Sequence, residues 1–275
     1  MALGGFFKYD KPGPGIKKDA PKKKFFFVFL EIWARNIWKL IPVNLIYVLM
    51  SLLIIPGGLA QAGMTNVARN LARDKHSFGI SDFFSTIRKN FKQALPAGII
   101  NNFITILLSF AIFFYYMDVI NKEGGITSII GLGLCLACFI VFSFMKYYFW
   151  LLVITFKLSL KNIYKNCFTF SFANLKYNLL ISLVNILVYG SIVAVIIFIP
   201  MELVLIVAVL AAMILPGFTH IFTQLCIFPK VKQLMIDPYY AEHQGEDIEL
   251  RRNLGLEIEE EDENIFDDEK SIPEE

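Results

Sequence analysis

Charge is scarce in this chain: 18% of its 275 residues are Asp, Glu, Lys or Arg, with three histidines and four cysteines. An ordinary soluble domain carries about a quarter charged residues, so a water-covered globule is excluded. The cysteine count gives no disulfide framework. Cys135 and Cys138 have a CxxC spacing, but they sit inside an unbroken apolar run with no second pair and no histidine nearby. A thiolate is costly in hydrocarbon, so neither metal nor redox work is expected of them. The chain also lacks a phosphate-binding G-x-x-x-x-G-K-[ST], a nucleophile elbow G-x-S-x-G and a zinc-binding H-E-x-x-H. No pair of acid and base falls within an apolar run, and no charged side chain lies deep in one. The expectation is a protein that is not an enzyme, with no catalytic residue, metal or cofactor, and that is not an ion-coupled pump.

What is abundant is apolar. Hydrophobic residues make up 56% of the chain and aromatics 15%, with 27 phenylalanines. The net charge of +2 hides two unlike parts. Residues 246–275 hold 14 acids and 3 bases, a net of −11, and the remainder carries +13. The bases flank apolar runs, which points to a bilayer surface and away from nucleic acid.

Three regions follow. Residues 1–24 form a Lys/Pro/Gly arm, 25–235 a membrane domain, and 236–275 an acidic tail too polar to fold. Apolar runs of spanning length fall at about 41–59, 97–117, 126–150, 179–199 and 203–228. The fold class is therefore all-α and polytopic, with about five transmembrane helices. Basic interfacial helices accompany them. One is 25–40, too charged to cross, with Trp33 and Trp38 at headgroup level. The stretch from Gly79 to Phe113 holds a second. There Phe83, Phe84, Ile87, Phe91, Ala94 and Leu95 share one helical face, and Arg88, Lys89 and Lys92 share the other. That pattern predicts a helix lying on the membrane, with Pro96 opening a new helix behind it. Residues 157–178, with Lys161 and Lys165, form a third basic linker.

Lys and Arg crowd the linkers 60–95 and 157–178 and the end of the last span, and are nearly absent from the turns 118–125 and 200–202. Both linkers and the tail are therefore placed in the cytoplasm. Strict alternation of five spans puts the Lys-rich N-terminal flank outside, against its charge. The alternative is a re-entrant first segment broken at Pro56-Gly57-Gly58; five full spans are the reading adopted. The two linkers also resemble each other, IRKNFKQALPAGIINN beside LKNIYKNCFTFSFANLKYN, as a parallel duplication would.

Two residue sets are candidates for function. Arg88, Lys89, Lys92, Lys161 and Lys165 suit lipid headgroups or a docking partner. Asn101, Asn102, Asn185, His220 and Gln224 are polar residues in apolar runs. They suit either hydrogen bonds between helices or the lining of a small-solute site.

The segment NLIYVLMSLLIIPGGLAQAGMTNVARNLARDK, followed by FGISDFFSTIRKNFKQA, resembles the YesL family of bacterial integral membrane proteins, a family grouped as a domain of unknown function. The shared pattern is a span ending in Pro/Gly, a small-residue helix with basic residues (Arg69 to Arg73), then Asp82-Phe83-Phe84 and Asn90-Phe91-Lys92-Gln93-Ala94. The likeness extends over roughly 40–235; the acidic tail stands outside it. It implies an all-helical protein of the bacterial cytoplasmic membrane. Such proteins are often encoded beside carbohydrate ABC importers, and the likeness brings no catalytic residue with it. The implied partners are the lipid bilayer and the permease subunits of a carbohydrate ABC transporter, for which the protein would act as an accessory or assembly factor. A small-solute transporter or channel is the alternative. Oligomeric state is not legible.

Overall fold

The computed structural model describes residues 24–121 and 125–238. The arm over 1–23 and the tail beyond 238 lie outside the described residues. Among those described there are helices and no strands: α1 Phe25–Ser51, α2 Ile54–Ala72, α3 Ile80–Asn121, α4 Gly125–Thr155, α5 Leu160–Ala173, α6 Leu175–Phe198 and α7 Met201–Val231, closed by a π-helical turn over Lys232–Ile236. Four of them, α3, α4, α6 and α7, are long and apolar enough to cross a membrane.

The first apolar segment does not form a span over 41–59. α1 runs unbroken from the charged stretch into the apolar one, carries Pro42 within it, and stops at Ser51. The break falls at Leu52-Leu53, ahead of Pro56-Gly57-Gly58. Pro56 sits in the first turn of α2, where its missing N–H leaves nothing unsatisfied. α2 then doubles back along α1. Gln61 Nε2 donates to Tyr47 Oη at 2.6 Å near the tip. Arg35 pairs with Asp74 at the open end. The twelve or so residues from Leu40 to the tip reach roughly 18 Å at 1.5 Å per residue, about half the hydrocarbon thickness. The α1–α2 hairpin thus brings its two outer ends together, and neither of its helices is among the four long and apolar enough to cross a membrane. Leu49, Leu52, Leu53 and Ile55 at its tip are exposed, as lipid-facing groups are. Among the described residues the candidate spans number four, close to the five expected.

α3 is the second departure. Residues 80–121 form one helix that carries Pro96 inside it, so the basic amphipathic stretch does not lie apart on the membrane surface. At 1.5 Å per residue α3 is about 63 Å long, twice the hydrocarbon thickness, and its first half stands beyond it. The physical reason is α2. Phe83, Ile87, Ala94, Ala97 and Gly98 are buried on one face, and the Phe83 ring lies in the notch left by Gly63. Fully burying a phenylalanine contributes about 1.5–3 kcal/mol. Those contacts keep the helix continuous across a proline that costs about 3 kcal/mol in a helix interior. Pro96 and Lys92, one turn earlier, are both exposed.

The buried core lies at one end of the molecule. It draws on α1, α2, the first half of α3, the last part of α4 (Tyr148–Val153), α5 and the second half of α7. The outer halves of α3, α4, α6 and α7 rise from this foot as two apolar hairpins with large exposed side chains such as Phe103, Phe110, Leu134 and Ile197. α5 is short, starts at Ser159, whose hydroxyl accepts from Asn162 N, and buries Ile163, Cys167 and Phe170 against the foot. A buried cluster fixes its turn into α6. Tyr148 Oη donates to Asn178 Oδ1 at 2.7 Å and accepts from Asn174 Nδ2 at 2.8 Å, while Asn178 Nδ2 donates to Ser171 O at 3.0 Å. The second basic linker thus has a break at Asn174 that the first, inside α3, lacks.

Candidate functional site

A cavity of about 410 Å³ lies where the α1–α2 hairpin meets α3, α4, α6 and α7. Its walls come from the tip-side halves of α1 and α2, from the beginnings of the α3 and α6 spans, and from the foot-side parts of α4 and α7. All five polar candidates line it: Asn101 and Asn102 from α3, Asn185 from α6, His220 and Gln224 from α7. Sequence spacing offered no reason for three helices to bring them together. The cause is the foot, which sets these levels of α3, α6 and α7 side by side around the hairpin.

The cavity holds further polar groups that sequence reading missed. Gln61 and Thr65 come from α2, Tyr47 from α1, Tyr189 from α6 and Lys146 from α4. Lys146, which composition places near an interface, is half-buried and points its Nζ to within 3.4 Å of Thr105 Oγ1. Gln61, a lone amide in the small-residue run GGLAQAG, was the visible signal for α2.

The hydrogen bonds divide these groups into two kinds. His220 is committed to the protein: Nδ1 lies 2.8 Å from Pro216 O and Nε2 lies 3.2 Å from Gln61 Oε1. It ties α7 to the hairpin. Asn44 does the same one turn away, donating to Met213 O at 2.7 Å beside the Pro216-Gly217 bend. Gly217 makes room for it, since a Cβ there would stand 3.0 Å from Asn44 Oδ1. Two cavity groups are different. Asn101 is 3% exposed and its Oδ1 accepts from Tyr164 Oη at 2.9 Å, but its Nδ2 has no partner. Gln224 is 2% exposed and its Oε1 has no partner. An unpartnered buried donor or acceptor costs about 1–3 kcal/mol. Here the residue with the orphan donor and the residue with the orphan acceptor line the same cavity.

The cationic candidates do not enter this cavity. Arg88, Lys89, Lys92, Lys161 and Lys165 are all exposed on α3 and α5. Lys89 alone lines a second cavity, of about 300 Å³, under the C-terminal half of α2. The apolar residues on their helix do not form a single lipid-facing stripe, because Phe83, Ile87 and Ala94 pack on α2 while Phe84 and Phe91 remain exposed. Cys135 and Cys138 are free thiols on α4. Among the described residues no group of three or more His, Cys, Asp or Glu could hold a metal ion.

No curated protein and no solved structure matches this chain. Residues 40–118 match the family described as "Protein of unknown function, DUF624". The match takes in the hairpin and most of α3, including Tyr47, Gln61, Asn101 and Asn102 of the cavity, and identifies the chain as similar to that family over this segment.

Proposed function

We propose that this is a multi-pass membrane protein, without chemistry of its own, whose cavity binds and passes a small uncharged polar solute. The observation that carries the reading is that Asn101 and Gln224, each with one buried and unpartnered amide atom, both line one polar cavity among the helices. Tyr47, Tyr147 and Trp150 add aromatic surfaces to the amides and hydroxyls, a combination that suits the C–H faces and hydroxyls of a polyol or sugar. The density of Lys and Arg at the foot supports a cytoplasmic foot in a bacterial cytoplasmic membrane.

The test is solute flux in liposomes reconstituted with the full chain, followed by osmotic swelling with glycerol and with monosaccharides. Asn101→Leu and Gln224→Leu each remove one hydrogen bond to the solute, so each is expected to slow flux about tenfold, equivalent to roughly 1.4 kcal/mol. Wild-type liposomes no more permeable than empty ones, or folded variants that match wild type, would remove the reading.

A second reading is supported by the exposed cations. Arg88 and Lys92 are exposed and line neither cavity, which leaves them accessible to a partner. With the likeness to the YesL family, this supports an accessory role beside the permease subunits of a carbohydrate ABC importer. Crosslinking from Lys92 in cells, then mass spectrometry, separates the two. Permease subunits recovered, and lost on Arg88/Lys92→Glu, favour the accessory role; lipid and self contacts alone count against it.

A further inference from the structure

The second cavity has a different chemistry. Arg69 lies in the C-terminal half of α2, 7% exposed. Its Nη1 donates to Thr155 Oγ1 at 2.9 Å and its Nη2 to Asn66 Oδ1 at 2.7 Å, and its Nε has no partner. Both partners are neutral. A buried cation without a counter-charge is strongly unfavourable, and buried charges are ordinarily paired. Burial, and then the charge of Arg73, pull this guanidinium down to about 10.

The cavity over Arg69 is about 300 Å³ and is lined also by Lys89 and by the carboxylate of Asp82. That carboxylate is turned to its own loop: Oδ2 accepts from Ser77 Oγ at 2.8 Å and from Phe78 N at 3.0 Å. The nearby Asp74 is paired with Arg35. Nothing in the cavity therefore neutralises Arg69. Of the neutral linings, Ser85 and Thr86 donate to Asp82 O, and Asn90 Nδ2 donates one hydrogen to Thr86 O and keeps a second for an acceptor in the cavity.

We propose that this cavity binds a phosphate-bearing anion, with Arg69 as the buried anchor and Lys89 as the cation at its rim. The ligand chemistry is a phosphate mono- or diester, supplied either by a soluble phosphorylated molecule or by the headgroup of an anionic lipid. The site is separate from the polar solute cavity and shares no lining residue with it. It does not depend on solute passage.

The test uses the full chain purified in a non-ionic detergent and depleted of lipid. Its thermal midpoint is read against inorganic phosphate at constant ionic strength, and against phosphatidylglycerol with phosphatidylcholine as the control. A rise with inorganic phosphate supports the site and assigns a soluble ligand. A rise with phosphatidylglycerol, not matched by phosphatidylcholine, supports it and assigns a lipid. Lys89→Gln is expected to weaken the half-saturating concentration about three- to tenfold, as loss of one charge-assisted contact does. Arg88→Gln, the same charge change one residue away on an exposed position, should leave it within about twofold. Arg69→Met should abolish the response, and as a folded protein without anion it should equal or exceed wild type in stability, because an unpaired buried charge is gone. Absence of a rise with either probe overturns the proposal. So does an Arg88→Gln effect equal to that of Lys89→Gln, which marks general surface screening.

Discussion

The contact between α2 and α3 makes a prediction whose sign separates packing from helix propensity. Gly58 and Gly98 meet backbone to backbone. A Cβ built on Gly98 stands 2.6 Å from Gly58 Cα and 3.2 Å from Gly58 N, and one built on Gly58 stands 2.4 Å from Gly98 Cα and 3.1 Å from the Trp150 ring. Carbon atoms rest at about 3.5–4.0 Å, so Gly98→Ala forces the two helices apart by roughly 1 Å. Overpacking of that kind costs about 1–3 kcal/mol. Alanine for glycine in a helix interior otherwise gains up to about 1 kcal/mol. The expected net effect of Gly98→Ala is a loss of about 1–2 kcal/mol, and Gly58→Ala, which meets Gly98, Trp150 and Ala94, should lose more. Gly133 and Gly190 are the internal controls, since a Cβ at either meets nothing within 4 Å. Gly133→Ala and Gly190→Ala should be neutral or slightly stabilising. The assay is reversible unfolding of the purified chain in mixed micelles by added sodium dodecyl sulfate, followed by tryptophan fluorescence, which Trp150 reports from the contact itself. The double variant Gly58→Ala/Gly98→Ala should cost less than the sum of the single variants, because the first separation relieves the second. If Gly98→Ala unfolds with Gly133→Ala, the two helices do not touch at this point and the argument fails.

Two further perturbations follow. Tyr148→Phe removes the donor to Asn178 Oδ1 and the acceptor for Asn174 Nδ2 inside the foot; the same unfolding titration should show a loss of about 1–3 kcal/mol. Asp74→Asn breaks the Arg35 pair at the open end of the hairpin, but both side chains are largely exposed. It should change stability by less than about 1 kcal/mol, and any change should shrink as salt is raised from low ionic strength.

The spans were legible because twenty apolar residues in a row have few other uses. The cavity was partly legible for a related reason: Asn101, Asn102, Asn185, His220 and Gln224 interrupt apolar runs, and an amide or imidazole in such a run turns inward. The hairpin break was misplaced because Pro56-Gly57-Gly58 is the strongest local break signal in its segment. Proline is harmless in a first turn, and Gly58 serves close approach to Gly98, so the signal marked packing. α3 was divided at Pro96 because propensity does not know that Phe83, Ile87, Ala94 and Gly98 all lock onto one neighbour. Arg69 was illegible as a site. In sequence it is one of several linker cations, and only the crossing of α2 with α3 and α4 separates the buried one from the exposed ones.

The turn at Leu52-Leu53 carries an electrical consequence. α1 ends and α2 begins within two residues, so the C-terminal half-charge of one helix, about −0.5, faces the N-terminal half-charge of the other, about +0.5. Gly57 N already bonds Leu53 O at 3.1 Å and Pro56 has no N–H, so few donors remain open at this end. The two macrodipoles cancel at the tip, so the exposed Leu49, Leu52, Leu53 and Ile55 surround a helix break that carries little net charge.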